Sequence, residues 1–205
     1  MEPLRVLAFN CTLKPSPAES STEKLARQVL DLFEADGAST EMIRIVDHDV
    51  KPGVEADMGD GDAWPSIRAK LLDADILLFA TPTWVGHLSS VAQRVIERLD
   101  AELSATDDAG RPILAGKVAA VAVTGNEDGA HAIIADVQQA LVDVGFSIAS
   151  QASTYWNGEA MQKTDYKNLS ETPETVATTN ATVARHSAHL ARVLKISAYP
   201  PPARS

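Results

Sequence analysis

The chain has 205 residues, 45% of them hydrophobic, enough for one core of ordinary size. Its formal charge is −10 with no basic cluster, which argues against a nucleic-acid partner, and no apolar run approaches the roughly 20 residues of a membrane span. Cys11 is the only cysteine, which excludes internal disulfides and cysteine-rich zinc or iron–sulfur centres.

In chain order, the start through Leu4–Phe9 reads directly as a buried strand. It has no basic flank or cleavage site, so a cytoplasmic protein is expected, and the Asn-x-Ser/Thr triplets at Asn10, Asn168 and Asn180 are read as chance. A polar loop follows, then a helix from Ser21 to Ala35 with Leu25, Val29, Leu32 and Phe33 on one face and Gly37 placed to end it. Thr40–Val46 alternates like a half-covered strand. Residues 47–62 are expected to be a loop, and the acidic stretch Asp57–Asp62 lacks the spacing of a calcium loop and reads as solvated.

A helix over Ala63–Ala74 leads into strand Ile76–Ala80, and the segment Thr81–Gly86 reads as a loop. Leu88, Val91, Ala92, Val95, Ile96 and Leu99 then recur at helical spacing. The turn Asp107–Pro112 precedes strand Lys117–Thr124, a helix over Ala130–Val144 and a short strand Phe146–Ala149. A polar excursion over Ser150–Thr172 and a terminal helix to Lys195 complete a single domain over residues 1–197, with 198–205 expected as a frayed tail. Within the excursion, Ser153–Tyr166 is aromatic for a loop, either a lid over a cleft or packing on the sheet edge.

Strand–helix alternation of this kind predicts a doubly wound parallel sheet. Ligands of such sheets lie beyond the carboxyl ends of the strands, which directs attention to residues 10–21, 81–87 and 124–130. The first loop, Asn10–Thr22, is rich in hydroxyls and holds one lysine but no glycine, so it matches neither a dinucleotide turn nor a nucleoside-triphosphate loop. Hydroxyls and free amides at a helix N-terminus suit a phosphate monoester. The same Ser20-Ser-Thr-Glu23 run also fits a capping box, in which Ser20 serves the helix rather than a ligand. Gly125 and Gly129 of the third loop permit close approach of a flat ligand to the main chain.

Together, the hydroxyl-rich Asn10–Thr22 loop, Thr-Pro-Thr-Trp-Val-Gly at 81–86 and Thr-Gly-Asn-Glu-Asp-Gly at 124–129 resemble the flavodoxin-like NAD(P)H-dependent FMN reductase family. The first loop departs from the family's usual Gly-Ser start, offering Asn10-Cys11, Lys14 and Ser20-x-Thr22 as counterparts. The resemblance implies an α/β flavodoxin-like fold with a five-stranded parallel sheet, order 2-1-3-4-5, and helices on both faces. It implies that Thr12, Lys14, Ser20, Ser21 and Thr22 hold the FMN phosphate, and that Pro82, Thr83, Trp84, Val85 and Gly86 border the ribityl chain and ring. Thr124, Gly125, Asn126 and Gly129 would line the pyrimidine side.

It further implies NADPH or NADH as co-substrate, a small-molecule electron acceptor, and a homodimer or homotetramer. Trp84 has the alternative of core packing, and His87 and His131 stand near the proposed ring without an assigned role. Two rival functions remain, a one-electron carrier and a cofactor-free interaction domain. The third loop has no aromatic residue to cover the second face of the ring, which favours the reductase over the carrier.

Overall fold

The computed structural model describes residues 2–159 and 162–203. Strands β1 (Arg5–Asn10), β2 (Ser39–Arg44), β3 (Ile76–Trp84), β5 (Val118–Thr124) and β6 (Ser147–Trp156) form a parallel sheet in the order β2-β1-β3-β5-β6, and the two-residue β4 (His87–Leu88) pairs antiparallel with the end of β3. Apart from the β4 addition, this is the 2-1-3-4-5 order expected of the fold.

Helices α1 (Ser21–Ala35) and α5 (Glu174–Ile196) cover one face, where Val6, Ala8, Leu78 and Ala120 meet Leu25, Val29 and Val183. Helices α2 (Trp64–Asp73), α3 (Ser90–Leu99) and α4 (Ala130–Asp143) cover the other, where Leu7, Phe9, Phe79 and Val121 meet Trp64, Val95 and Ile133. Side chains alternate between faces along each strand, so a strand covered on both sides must be apolar at nearly every position. All seven residues of β5 are buried, as this requires.

Several boundaries differ from the sequence reading, each for a physical reason. Thr81–Gly86 is not an open loop: β3 runs on to Trp84, then reverses through Val85 and Gly86 into β4. Both turn residues have positive φ (52° and 75°), as a tight two-residue hairpin requires. Pro82 is tolerated because β1 stops pairing with β3 at Asn10↔Ala80, leaving no neighbour on that side in need of the missing N–H. Ser89 caps α3, its hydroxyl accepting from Ala92 N at 3.0 Å, so the helix starts two residues after Leu88.

Strand β2 ends at Arg44 and continues as a 3-10 turn over Ile45–Asp47 rather than reaching Val46. Strand β6 runs well past Ala149. A bulge near Ser150–Ala152 shifts its register against β5 between Ala119 and Val121, and Gln151 takes a φ of 56° there. The polar Ser-Gln-Ala-Ser composition hid this edge strand. Asp62 is not solvated: its side chain is fully buried in an ion pair with the equally buried Arg98 (2.8 Å). Arg98 also donates to the carbonyls of Lys51 and Glu55, pinning the loop before α2 to α3. Tyr199 places its hydroxyl 3.0 Å from Ser147 Oγ, while its carbonyl accepts from Arg111.

Candidate functional site

At the carboxyl ends of β1, β3 and β5 the three loops meet in one cleft. Among the expected residues, Thr12, Lys14, Ser20, Ser21, Thr22, Pro82, Thr83, Trp84, Thr124, Gly125 and Asn126 line it. Val85, Gly86 and Gly129 do not, lying instead in the hairpin apex and beneath it. His87 is exposed on β4, and His131 packs edge-on against Tyr155 with ring centroids 5.0 Å apart. Neither histidine lines the cleft. The enclosed part holds about 150 Å³, and Trp84 on its lining is half exposed rather than packed in the core.

The first loop is organised from β1 outward. Asn10 is fully buried; its Oδ1 accepts from Thr12 N at 3.2 Å, and its Nδ2 has no partner among the described residues. Ser20 caps α1, accepting from Glu23 N at 3.2 Å, so the capping reading holds for the hydroxyl. The reciprocal half of the capping box is not formed. The Glu23 carboxylate turns to the Arg44 guanidinium, and the main-chain N–H groups of Ser20, Ser21 and Thr22 have no hydrogen-bond partner among the described residues. An α-helix leaves such amides free at its N-terminus, where its dipole favours an anion. The Thr22 and Thr124 hydroxyls lie 3.0 Å apart and join the first loop to the third.

On β3, Thr83 is buried with its Oγ1 unpartnered. A Cβ at Gly125 would stand 2.8 Å from Thr83 Cβ, and one at Gly129 (φ 125°) would stand 2.6 Å from the carbonyl oxygen of Gly86. The loop after β5 therefore presses against the hairpin after β3, which only glycine allows. A buried, unpaired hydroxyl is costly, and a ligand hydrogen bond would satisfy it.

The structure adds a wall formed by Trp156, Asp165, Tyr166 and Lys167. Trp156 and Tyr166 pack with ring centroids 5.4 Å apart, and Gly158 lets the indole lie against the main chain, where a Cβ would meet it at 2.8 Å. Lys24 of α1 gathers the carbonyls of Tyr166, Lys167 and Leu169, and Lys167 N donates to Ser21 Oγ at 3.2 Å. Burial pushes the Tyr166 phenol up, outweighing its hydrogen bonds to Thr172 and Gln28. Of the Ser153–Tyr166 segment, Ser153–Trp156 is strand, Tyr166 is packed, and Ala160 and Met161 lie outside the described residues. The aromatic residues were visible in the sequence, but the tie of this wall to α1 through Lys24 was not.

Lys14 and Lys167 are the cleft's cations, with Glu19 3.4 Å from Lys167 Nζ. No group of three or more His, Cys, Asp or Glu residues able to hold a metal occurs among the described residues. No described helix is long and apolar enough to cross a membrane. Cys11 is fully buried, and burial pushes its thiol up, away from the reactive thiolate. The donor set therefore fits a phosphorylated ligand carrying a polar chain.

Comparison with known proteins shows what the chain is similar to. A model of the NADPH-dependent FMN reductase family matches residues 4–160. The chain is 34% identical over 166 residues to the 8-demethyl-8-aminoriboflavin-5'-phosphate synthase of Streptomyces davaonensis, covering 77% of this chain and 65% of that one. It is 38% identical over 161 residues to the divalent metal cation transporter MntH of Mycobacterium bovis, covering 77% of this chain but 24% of that protein. The chain thus spans less than two thirds of either curated relative. The crystal structure of RosB with the bound intermediate 8-demethyl-8-formylriboflavin-5'-phosphate superposes with a TM-score of 0.86 and 30% identity, covering 96% of this chain and 82% of that one.

Proposed function

The chain belongs to the NADPH-dependent FMN reductase family, and from that premise we propose that it is an oxidoreductase using cleft-bound FMN to move a hydride from NADPH or NADH to a small acceptor such as a quinone. The observation that carries this reading is the convergence of unpaired polar groups on one cleft: the α1 amides and the Thr83 hydroxyl.

FMN, when bound, supplies the two-electron chemistry, and the protein supplies position and electrostatics. Thr12, Lys14, Ser20, Ser21 and Thr22 hold the phosphate, with the α1 N-terminus adding main-chain donors. Pro82, Thr83 and Trp84 border the ribityl chain and ring, while Val85 and Gly86 turn the hairpin that carries them. Thr124, Gly125 and Asn126 line the pyrimidine side, with Gly129 shaping the loop behind them, and donors fixed there stabilise negative charge without moving. Trp84 screens one edge from water, and the co-substrate and then the acceptor bind beside it. A homodimer or homotetramer would cover exposed apolar side chains such as Val85 at the hairpin apex.

A second reading treats the flavin phosphate as the substrate. The 34% identity to a synthase of a modified flavin phosphate, and the fit to a structure holding a flavin-phosphate intermediate, favour it. One experiment separates the readings. The purified protein is loaded with FMN and assayed for NADH and NADPH oxidation against a quinone panel, and its flavin is then weighed by mass spectrometry. Acceptor-dependent oxidation with flavin of unchanged mass supports the reductase. A changed flavin mass without turnover supports the second reading, and a protein that neither colours nor quenches added FMN overturns both.

A further inference from the structure

We infer that Arg44 makes the first loop selective for a phosphorylated ligand, by withdrawing the Glu23 carboxylate from the N-cap of α1. The inference rests on the reading of that loop as the FMN phosphate site.

Ser20-Ser-Thr-Glu23 is a capping-box sequence of which only half is formed. In the complete motif the Glu23 carboxylate would accept the Ser20 N–H, occupying one donor and placing a negative charge at the helix N-terminus. Both effects oppose a phosphate dianion. Instead Glu23 pairs with Arg44, whose side chain is only 10% exposed and held on two further sides. Arg44 Nη1 donates to Lys14 O at 3.1 Å and to Ala18 O at 2.8 Å. The guanidinium thus neutralises one carboxylate and is anchored by two loop carbonyls. Its planar fork of five donors suits this work in a way that a lysine does not.

Arg44 itself does not line the cleft. It is a positioning residue that leaves the amides of Ser20, Ser21 and Thr22 available.

The experiment titrates full-length protein with FMN and with riboflavin, following quenching of flavin fluorescence. Wild type is expected to prefer FMN. Arg44→Met should weaken FMN by about tenfold or more and leave riboflavin within about twofold, as expected for losing a charge-assisted contact. Adding Glu23→Ala to Arg44→Met should restore FMN to within about threefold of wild type, because the released charge is gone. A staple of purely structural importance would not be rescued this way, since the loop carbonyls stay unpinned. Failure of that rescue, or equal loss of both flavins, overturns the role of Arg44. So does a wild-type preference for FMN that survives Arg44→Met. Equal wild-type affinity for the two flavins overturns the phosphate reading itself, and this one with it. Should Arg44→Met not fold, Glu23→Ala alone decides: FMN binding unchanged or tighter agrees, and weaker binding overturns.

Discussion

Glu127 accepts the main-chain N–H of Val85 at 2.9 Å, so a carboxylate from the loop after β5 holds the apex of the hairpin after β3. Val85 is 85% exposed and β-branched, and its φ of 52° is costly for such a residue. No packing offsets that cost at so exposed a site, so the hydrogen bond sets the turn. Glu127→Ala should speed hydrogen exchange at the Val85 amide and weaken FMN binding severalfold. Stability should fall by no more than about 1.5 kcal/mol, the range of a partly solvated hydrogen bond. Unchanged exchange at Val85 would show that the turn holds itself.

Gly129 tests the close approach of the two loops. A methyl group there would sit 2.6 Å from Gly86 O, on a backbone with φ 125°. Gly129→Ala should cost about 2 kcal/mol or more by urea denaturation, through strain rather than lost contacts. It should also lower FMN affinity, because the hairpin wall must move. A variant as stable as wild type would mean that the loops are not held in register.

The Asp62–Arg98 pair predicts an acid limb in stability. Burial pushes the Asp62 carboxyl up, but donation from the Met58 and Trp64 amides, the Arg98 guanidinium and the Lys51 amide outweighs it, and the pKa falls from 3.8 to about 2. A group with a depressed folded pKa contributes fully above its unfolded value and loses that contribution as pH falls through the folded one. The contribution should therefore be complete above about pH 5 and vanish between about pH 4 and pH 2. Asp62→Asn should lower stability at pH 7 by about 3 kcal/mol, the scale of a broken buried pair, and flatten the acid limb. Denaturant titrations at pH 7 and pH 3 compare the two proteins, and parallel acid limbs would remove Asp62 as the cause.

Trp84 and Tyr199 give a paired control. Trp84 lines the cleft and is half exposed, whereas Tyr199 is bound to Ser147 and Arg111 away from it. Trp84→Ala should weaken FMN by at least about threefold, as expected for losing an aromatic wall. Its Tm should change little, and Tyr199→Ala should leave FMN binding as it is. Equal retention of FMN by both variants would remove Trp84 from the site.

Much of the fold was legible because buried parallel strands and one-faced helices leave strong patterns, as in Val118–Thr124 and Leu25–Phe33. The cleft was legible through strand ends: the rule locating ligands there needs only strand order, and eleven of the expected residues meet as it says. What escaped was set by tertiary context. The strand character of Thr81–Trp84 depends on β1 ending at Asn10, and that of Gln151–Trp156 on a bulge, neither of which local composition reveals. The buried charge of Asp62 depends on Arg98, 36 residues later in the chain. Arg44 and Lys24 gave no local signal for the same reason, since their partners are remote main-chain carbonyls.

The contacts of Lys24 bear on how a ligand comes and goes. One ammonium holds three carbonyls of the 166–169 turn against α1, whereas one carboxylate joins the apex of the β3–β4 hairpin to the loop after β5. Moving the first means stranding a cation and three acceptors together; releasing the hairpin apex from the neighbouring loop means breaking one side-chain bond at a solvated position. The cleft therefore has one firmly tied jaw and one more compliant jaw.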